Sequence, residues 1–155
     1  MISLQRILLP TDFSSYASCA IDYACTMAEK FDAEIHLLHV VQDLVSLTPE
    51  PGMAFPPPGN YLEELRASAE QALTKVLDPE WERGRSVVRV TRQGSPFLEI
   101  IEYAKEQQID LIVMGTHGRS GLAHVLLGSV AERVVRKARC PVLTVRPREH
   151  EFSTP

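Results

Sequence analysis

The sequence predicts an α/β domain: a single open, five-stranded parallel sheet with helices on both faces. Three observations predict it. Five short apolar runs, Ile7-Leu8-Leu9, Ile35 to Val41, Val87 to Thr91, Leu111 to Met114 and Val142 to Val145, are rich in β-branched residues and leucine, as strands covered on both sides require. Four stretches between them carry apolar residues at helical spacing. The alternation of strand and helix then repeats along the chain, which selects parallel pairing with right-handed crossovers.

The elements follow in order. After the first strand comes Pro10-Thr11-Asp12-Phe13-Ser14, where Asp12 and Ser14 are both candidates to cap a helix start. Ala17, Ala20, Ile21, Ala24, Met27, Ala28 and Phe31 then mark one face of a first helix. The second strand ends in His39-Val40-Val41 and runs into a stretch, 43–60, that carries five of the chain's eleven prolines and no apolar period. Loops of that length are usually functional or disordered. Leu62, Leu65, Ala69, Ala72, Leu73 and Val76 mark a second helix. The third strand carries Arg89 and Arg92, which suits an edge. Ser95-Pro96 is a cap followed by proline at the first helical position, and Phe97, Ile100, Ile101 and Ala104 face inward after it. Leu127, Val130, Ala131, Val134, Val135 and Ala138 mark the fourth helix, whose start, Ser129-Val130-Ala131-Glu132, reads as a capping box. Two strand orders suit this succession, 2-1-3-4-5 and 3-2-1-4-5.

Composition narrows the function classes. The 155 residues are expected to make one domain over 1–147 with a frayed tail at 148–155, and 45% hydrophobic against 23% charged residues is the balance of a soluble globular protein. A net charge of −4 gives no general attraction for nucleic acid. The basic residues Arg133, Arg136, Lys137, Arg139, Arg146 and Arg148 gather at a helix end, where the macrodipole favours cations. No apolar run reaches membrane-spanning length and the start lacks a signal-peptide pattern, so a cytoplasmic protein with no membrane association is expected. Cys19, Cys25 and Cys140 are odd in number and show no CxxC spacing, and read as buried small apolar residues.

The chemistry concentrates after the fourth strand. Met114 is followed by Gly115-Thr116-His117-Gly118-Arg119-Ser120-Gly121, and after the nine residues that follow Gly118 stand Gly128-Ser129 and Val130. Glycine admits φ > 0 and lets backbone approach a ligand, and loop N–H groups beside a helix start attract anions. A phosphate-binding loop is expected here, with Arg119 pairing with a terminal phosphate. No GxxxxGK[ST] occurs, and no GxGxxG follows the first strand, which excludes the two commonest nucleotide motifs. His117 and His124 lack a nearby carboxylate or cysteine, and His36 and His39 point to opposite faces of a strand, so no metal site is expected. In a 3-2-1-4-5 order, Asp12 and Gly115 would meet at the crevice between strands one and four.

These residues resemble the universal stress protein family, and within it the ATP-binding branch. The pattern G-x2-G-x9-G-[ST] is met by Gly115, Gly118, Gly128 and Ser129, and P-T-D-x-S by Pro10 to Ser14. His39-Val40-Val41 matches the family's second-strand end, and the likeness runs from Leu4 to about Val145. The resemblance implies a Rossmann-like sheet in the 3-2-1-4-5 order and a homodimer through the strand 142–145. It also implies ATP as ligand: Val40 backbone at the adenine edge, Asp12 by the ribose, and the phosphates held by the 115–121 loop and Gly128 to Val130. Asp12 could help hold Mg²⁺. No catalytic base can be assigned, so a regulator with slow or no hydrolysis is expected, its nucleotide occupancy changing contacts with client proteins; the alternative is a slow ATP hydrolase or phosphotransferase in the same pocket.

Gly118→Val puts a β-branched side chain where φ > 0 and close phosphate approach are expected. The variant should fold and lose ATP; unchanged affinity by calorimetry would contradict the phosphate-loop reading.

Overall fold

The computed structural model of the chain describes residues 1–42, 59–116 and 127–147. Its elements are β1 (Arg6–Pro10), α1 (Ser15–Ser18), α2 (Ile21–Phe31), β2 (Glu34–Val41), α3 (Tyr61–Leu73), α4 (Pro79–Glu82), β3 (Val87–Gln93), α5 (Pro96–Glu106), β4 (Leu111–Gly115), α6 (Ser129–Lys137) and β5 (Val142–Val145). The strands form one parallel sheet ordered β3-β2-β1-β4-β5. The second of the two orders is therefore the one adopted.

Alternation along each strand divides the core into two layers. Ile7, Leu9, Ile35, Leu37 and Val113 face one side, where Ala24 and Ala28 of α2 and Leu73 of α3 cover them. Leu8, Leu38, Ile112 and Met114 face the other, beneath Ile100 and Tyr103 of α5 and Ala131 and Val134 of α6. Each fully buried leucine or isoleucine contributes about 1.5–3 kcal/mol, so the central strands β1, β2 and β4 hold the fold. At the outer edge, β3 carries Arg89 to one face, donating to the Leu73 carbonyl and pairing with Glu82. Arg92 goes to the other, pairing with Glu106 across the Tyr103 ring. These charges blunt that edge as expected.

The opposite edge is β5. Peptide groups of successive residues point to alternate sides of a strand. The Pro141 and Val145 carbonyls accept from Ile112 and Thr116 of the β4 side, so the N–H and C=O of Val142 and Thr144 face outward.

Three expectations need correction. The first helix is two: α1 ends at Ser18 with Cys19 as its C-cap, and Ala20 N–H bonds the Ala17 carbonyl in a tight turn before α2 begins. The apolar spacing continues through this break because both residues keep right-handed backbone, so periodicity alone does not register it. The capping box of the fourth helix is displaced: Gly128 is the N-cap, Ser129 is the first helical residue, and no side chain caps the helix start. The cysteines are half-buried rather than buried. Burial still pushes all three thiols up, Cys25 to about 11, which disfavours the thiolate. The short helix α4, with Asp78 as its cap and Pro79 opening it, was not anticipated.

The stretch 43–58, the loop 117–126 and the tail 148–155 lie outside the described residues. Among those described, no helix is long and apolar enough to cross a membrane.

Candidate functional site

β1 and β2 pair over five positions, but β1 and β4 pair only at Ile7–Leu111 and Leu8–Ile112. Beyond Leu8 the two central strands part. α1 steps into the opening, and its Tyr16 carbonyl lies where a Cβ on Gly115 would stand. The result is a cleft of about 570 Å³ at the carboxyl ends of the strands, at the point where strand order reverses.

The β1–α1 turn makes one wall. Thr11 N–H reaches back to the Leu38 carbonyl at 2.9 Å. Phe13 N–H donates to Thr11 Oγ1 at 3.0 Å, while Ser14 donates its N–H and Oγ–H to Asp12 Oδ1 at 3.0 and 2.5 Å. Ser14 then caps α1 through the Ala17 N–H at 3.2 Å. The question of which residue caps is settled: Ser14 caps, and Asp12 orients Ser14. Phe13 takes φ 63, a left-handed conformation unusual for a bulky residue.

β2 makes the second wall. Its pairing with β1 stops at Leu38, whereas pairing with β3 continues to Val41–Gln93. The Leu38 carbonyl points to β1 and the Val41 carbonyl to Gly94 beyond β3. By alternation, Val40 directs its N–H and C=O to the β1 side, past the end of that strand and into the cleft. A donor and an acceptor thus stand side by side on fixed backbone.

The third wall is the exit of β4 and the start of α6. Thr116 N–H bonds the Val145 carbonyl at 2.9 Å, and Gly128 N–H bonds the Thr116 carbonyl at 2.6 Å. These two bonds tie the end of β4 to β5 and to the start of α6. The first intrahelical bond of α6 joins Glu132 N–H to Gly128, so the helix leaves the N–H groups of Ser129, Val130 and Ala131 unused. They carry the positive end of the helix dipole to the cleft. Leu65 and Ala69 of α3 and Ile100 of α5 add apolar sides.

Pro10, Thr11, Asp12, Val40, Met114, Gly115, Gly128, Ser129 and Val130 all line this one cleft. His117, Gly118, Arg119, Ser120 and Gly121 lie outside the described residues, as does His124. Sequence reasoning missed Phe13, His39 and the α3 and α5 sides as lining residues, whereas Thr116 falls within the expected 115–121 loop. Leu65 and Ala69 carried only a core signal, because a helix face that roofs a cleft has the same spacing as one that covers a sheet. His36 and His39 do diverge: His36 sits between Tyr103 Oη at 2.7 Å and Glu34 Oε1 at 2.9 Å, while His39 reaches the Thr11 carbonyl. Among the described residues, no group of three or more His, Cys, Asp or Glu could hold a metal ion.

An open parallel sheet in the order β3-β2-β1-β4-β5, with helices on both faces and a cleft at its switch point, defines a Rossmann-like α/β protein. Residues 3–146 match the universal stress protein family, and the chain belongs to that family. It is 39% identical over 150 residues to the universal stress protein MJ0531 of Methanocaldococcus jannaschii, covering 95% of this chain and 85% of that one. The solved structure of MJ0577 from the same organism superposes with a TM-score of 0.79 at 31% identity, covering 95% of this chain and 99% of that one. A universal stress protein solved in complex with cAMP shares the fold at a TM-score of 0.61 and 24% identity, covering 94% of this chain and 98% of that one.

Gly115 is needed here for space. A methyl group at this position meets the Tyr16 carbonyl carbon at 3.1 Å and the Ala17 Cα at 3.4 Å, both backbone atoms. Gly115→Ala should therefore destabilise the protein by about 1–3 kcal/mol, the usual cost of overpacking, in urea titration. A loss below about 0.5 kcal/mol, the scatter of neutral substitutions, would mean that α1 does not press on β4.

Proposed function

We propose that the cleft binds ATP and that the protein is a nucleotide-dependent regulator in the stress response rather than an efficient enzyme. The observation that carries this is the arrangement around the parted strands: a backbone donor–acceptor pair at Val40, a carboxylate at Asp12, and a bare helix start at Ser129 to Ala131. The Val40 pair complements the adenine edge, where an acceptor nitrogen adjoins an amino donor. Val40, Met114, Ile100 and Ala69 supply an apolar slot for a flat base. Asp12, its Oδ1 held by Ser14, offers acceptors to ribose hydroxyls. The α6 N–H groups suit phosphates, with the loop from Gly115 to Gly121 completing the cradle as in the family pattern. Mg²⁺ would arrive with the nucleotide, held by phosphate oxygens, water and at most Asp12.

Calorimetry should find that ATP binds at micromolar concentration or better. GTP should bind at least tenfold more weakly, because guanine offers Val40 the reverse order of donor and acceptor. Equal affinity for both would contradict base reading by Val40, and no binding of either would contradict the function. Turnover in clean protein should stay far below the median enzyme value of ~10 s⁻¹; a rate of that order favours the hydrolase reading.

The same proposal includes a homodimer through β5. Val142 and Thr144 turn their backbone groups outward, and the strand carries no charge between Pro141 and Arg146. Two copies can pair these edges antiparallel across a two-fold axis. Thr144→Pro removes one outward donor while sparing the bonds to β4, so light scattering should show a folded monomer where the unmodified chain is a dimer. A monomeric unmodified chain at micromolar concentration contradicts the dimer.

A further inference from the structure

His39 stands at the joint between two walls of the cleft and is nearly buried, at 9% exposure. Its Nδ1 lies 2.8 Å from the Thr11 carbonyl oxygen. A carbonyl can only accept, so Nδ1 carries the proton. The ring also stacks on Phe13, with centroids 4.3 Å apart and planes inclined by 27°. The imidazole therefore grips the Thr11-Asp12-Phe13 turn at two points. One is the carbonyl that precedes Asp12. The other is the side chain that follows it, on a residue whose left-handed backbone (φ 63) persists only when its surroundings impose it. Within that turn, Ser14 fixes Asp12 Oδ1. Orientation passes from the imidazole to the turn, and from the turn to the carboxylate.

We infer that His39 is a positioning residue that sets the cleft's selectivity for a ribose over a deoxyribose, acting through the aim of Asp12. The inference rests on the nucleotide reading of the cleft. A carboxylate discriminates a 2′-hydroxyl only if its oxygens are held at hydrogen-bonding distance and angle. A turn free to drift would still bind base and phosphates, through Val40 and α6, and would lose the sugar preference first.

The test compares ATP with 2′-deoxy-ATP by calorimetry in the full chain and in two variants. The unmodified protein should prefer ATP by about tenfold or more, the value of a hydrogen bond to a charged group. His39→Leu removes the donor and should bring the two nucleotides to within about twofold of each other, mainly by weakening ATP. His39→Asn places an amide N–H close to the position of Nδ1 and should restore most of the preference. A Leu variant that keeps the ratio overturns the inference. So does one that loses both nucleotides equally, as a merely structural role predicts, and so does an Asn variant no better than Leu. Long-range ¹H–¹⁵N spectra of the unmodified protein decide the matter even if His39→Leu fails to fold. The neutral Nδ1–H tautomer supports the grip on Thr11, and the Nε2–H tautomer overturns it. If unmodified protein binds neither nucleotide, the nucleotide reading itself falls, a result distinct from binding without sugar preference.

Discussion

The parting of β1 and β4 after Leu8 and Ile112 is the constraint from which the carboxyl end of this sheet takes its form. Were the two strands to continue in register, their ladder would close over the place where the cleft lies. α1 prevents this by seating its Tyr16 carbonyl against Gly115, a contact that no residue with a Cβ permits without movement. Because β2 runs on beside β3 after β1 has turned away, Val40 is left directing backbone groups toward the gap. One divergence thus produces both the space and the polar groups that line it.

The start of α6 shows the same economy from the other side. A helix begun by Ser, Thr, Asp or Asn gains about 0.5–2 kcal/mol over one begun by Ala, and only about a few tenths of a kcal/mol over one begun by Gly. α6 begins at Gly128 and forgoes that smaller gain, its N-cap held instead by the bond from its N–H to Thr116. The first-turn N–H groups have no acceptor within the helix, and a capping serine would occupy part of them. α1, which makes no such opening, is capped by Ser14 in the ordinary way. Two helices that border one cleft thus start in different ways, α1 with a side-chain cap and α6 with a backbone tie.

Much of this was legible in the chain. β-branched and leucine runs located all five strands, since strands buried on both faces admit little else. The arginines of β3 marked it as an edge. The glycine spacing after Met114 and the Pro10 to Ser14 turn indicated where a site would form, and the topology does bring Asp12 and Gly115 to one cleft. Other features have no local signature. The break between α1 and α2 changes the hydrogen-bond pattern but not the apolar period. The one-residue shift at α6 depends on the tie between Thr116 and Gly128, twelve positions apart in sequence. The left-handed Phe13 stacks on a ring in β2 that only the fold brings near. His39, visible as part of a strand end, acquires its role from a carbonyl 28 positions away.

The central claim is that backbone at the parted strands, Val40 on one side and the start of α6 on the other, receives the nucleotide. Amide chemical shifts followed during an ATP titration test it most directly. The account predicts that the N–H resonances of Val40, Ser129, Val130 and Ala131 move together and saturate at one ligand equivalent, while those of the remote helix α4 stay fixed. Saturable shifts confined to residues outside the cleft, with Val40 and the α6 start unmoved, would contradict it.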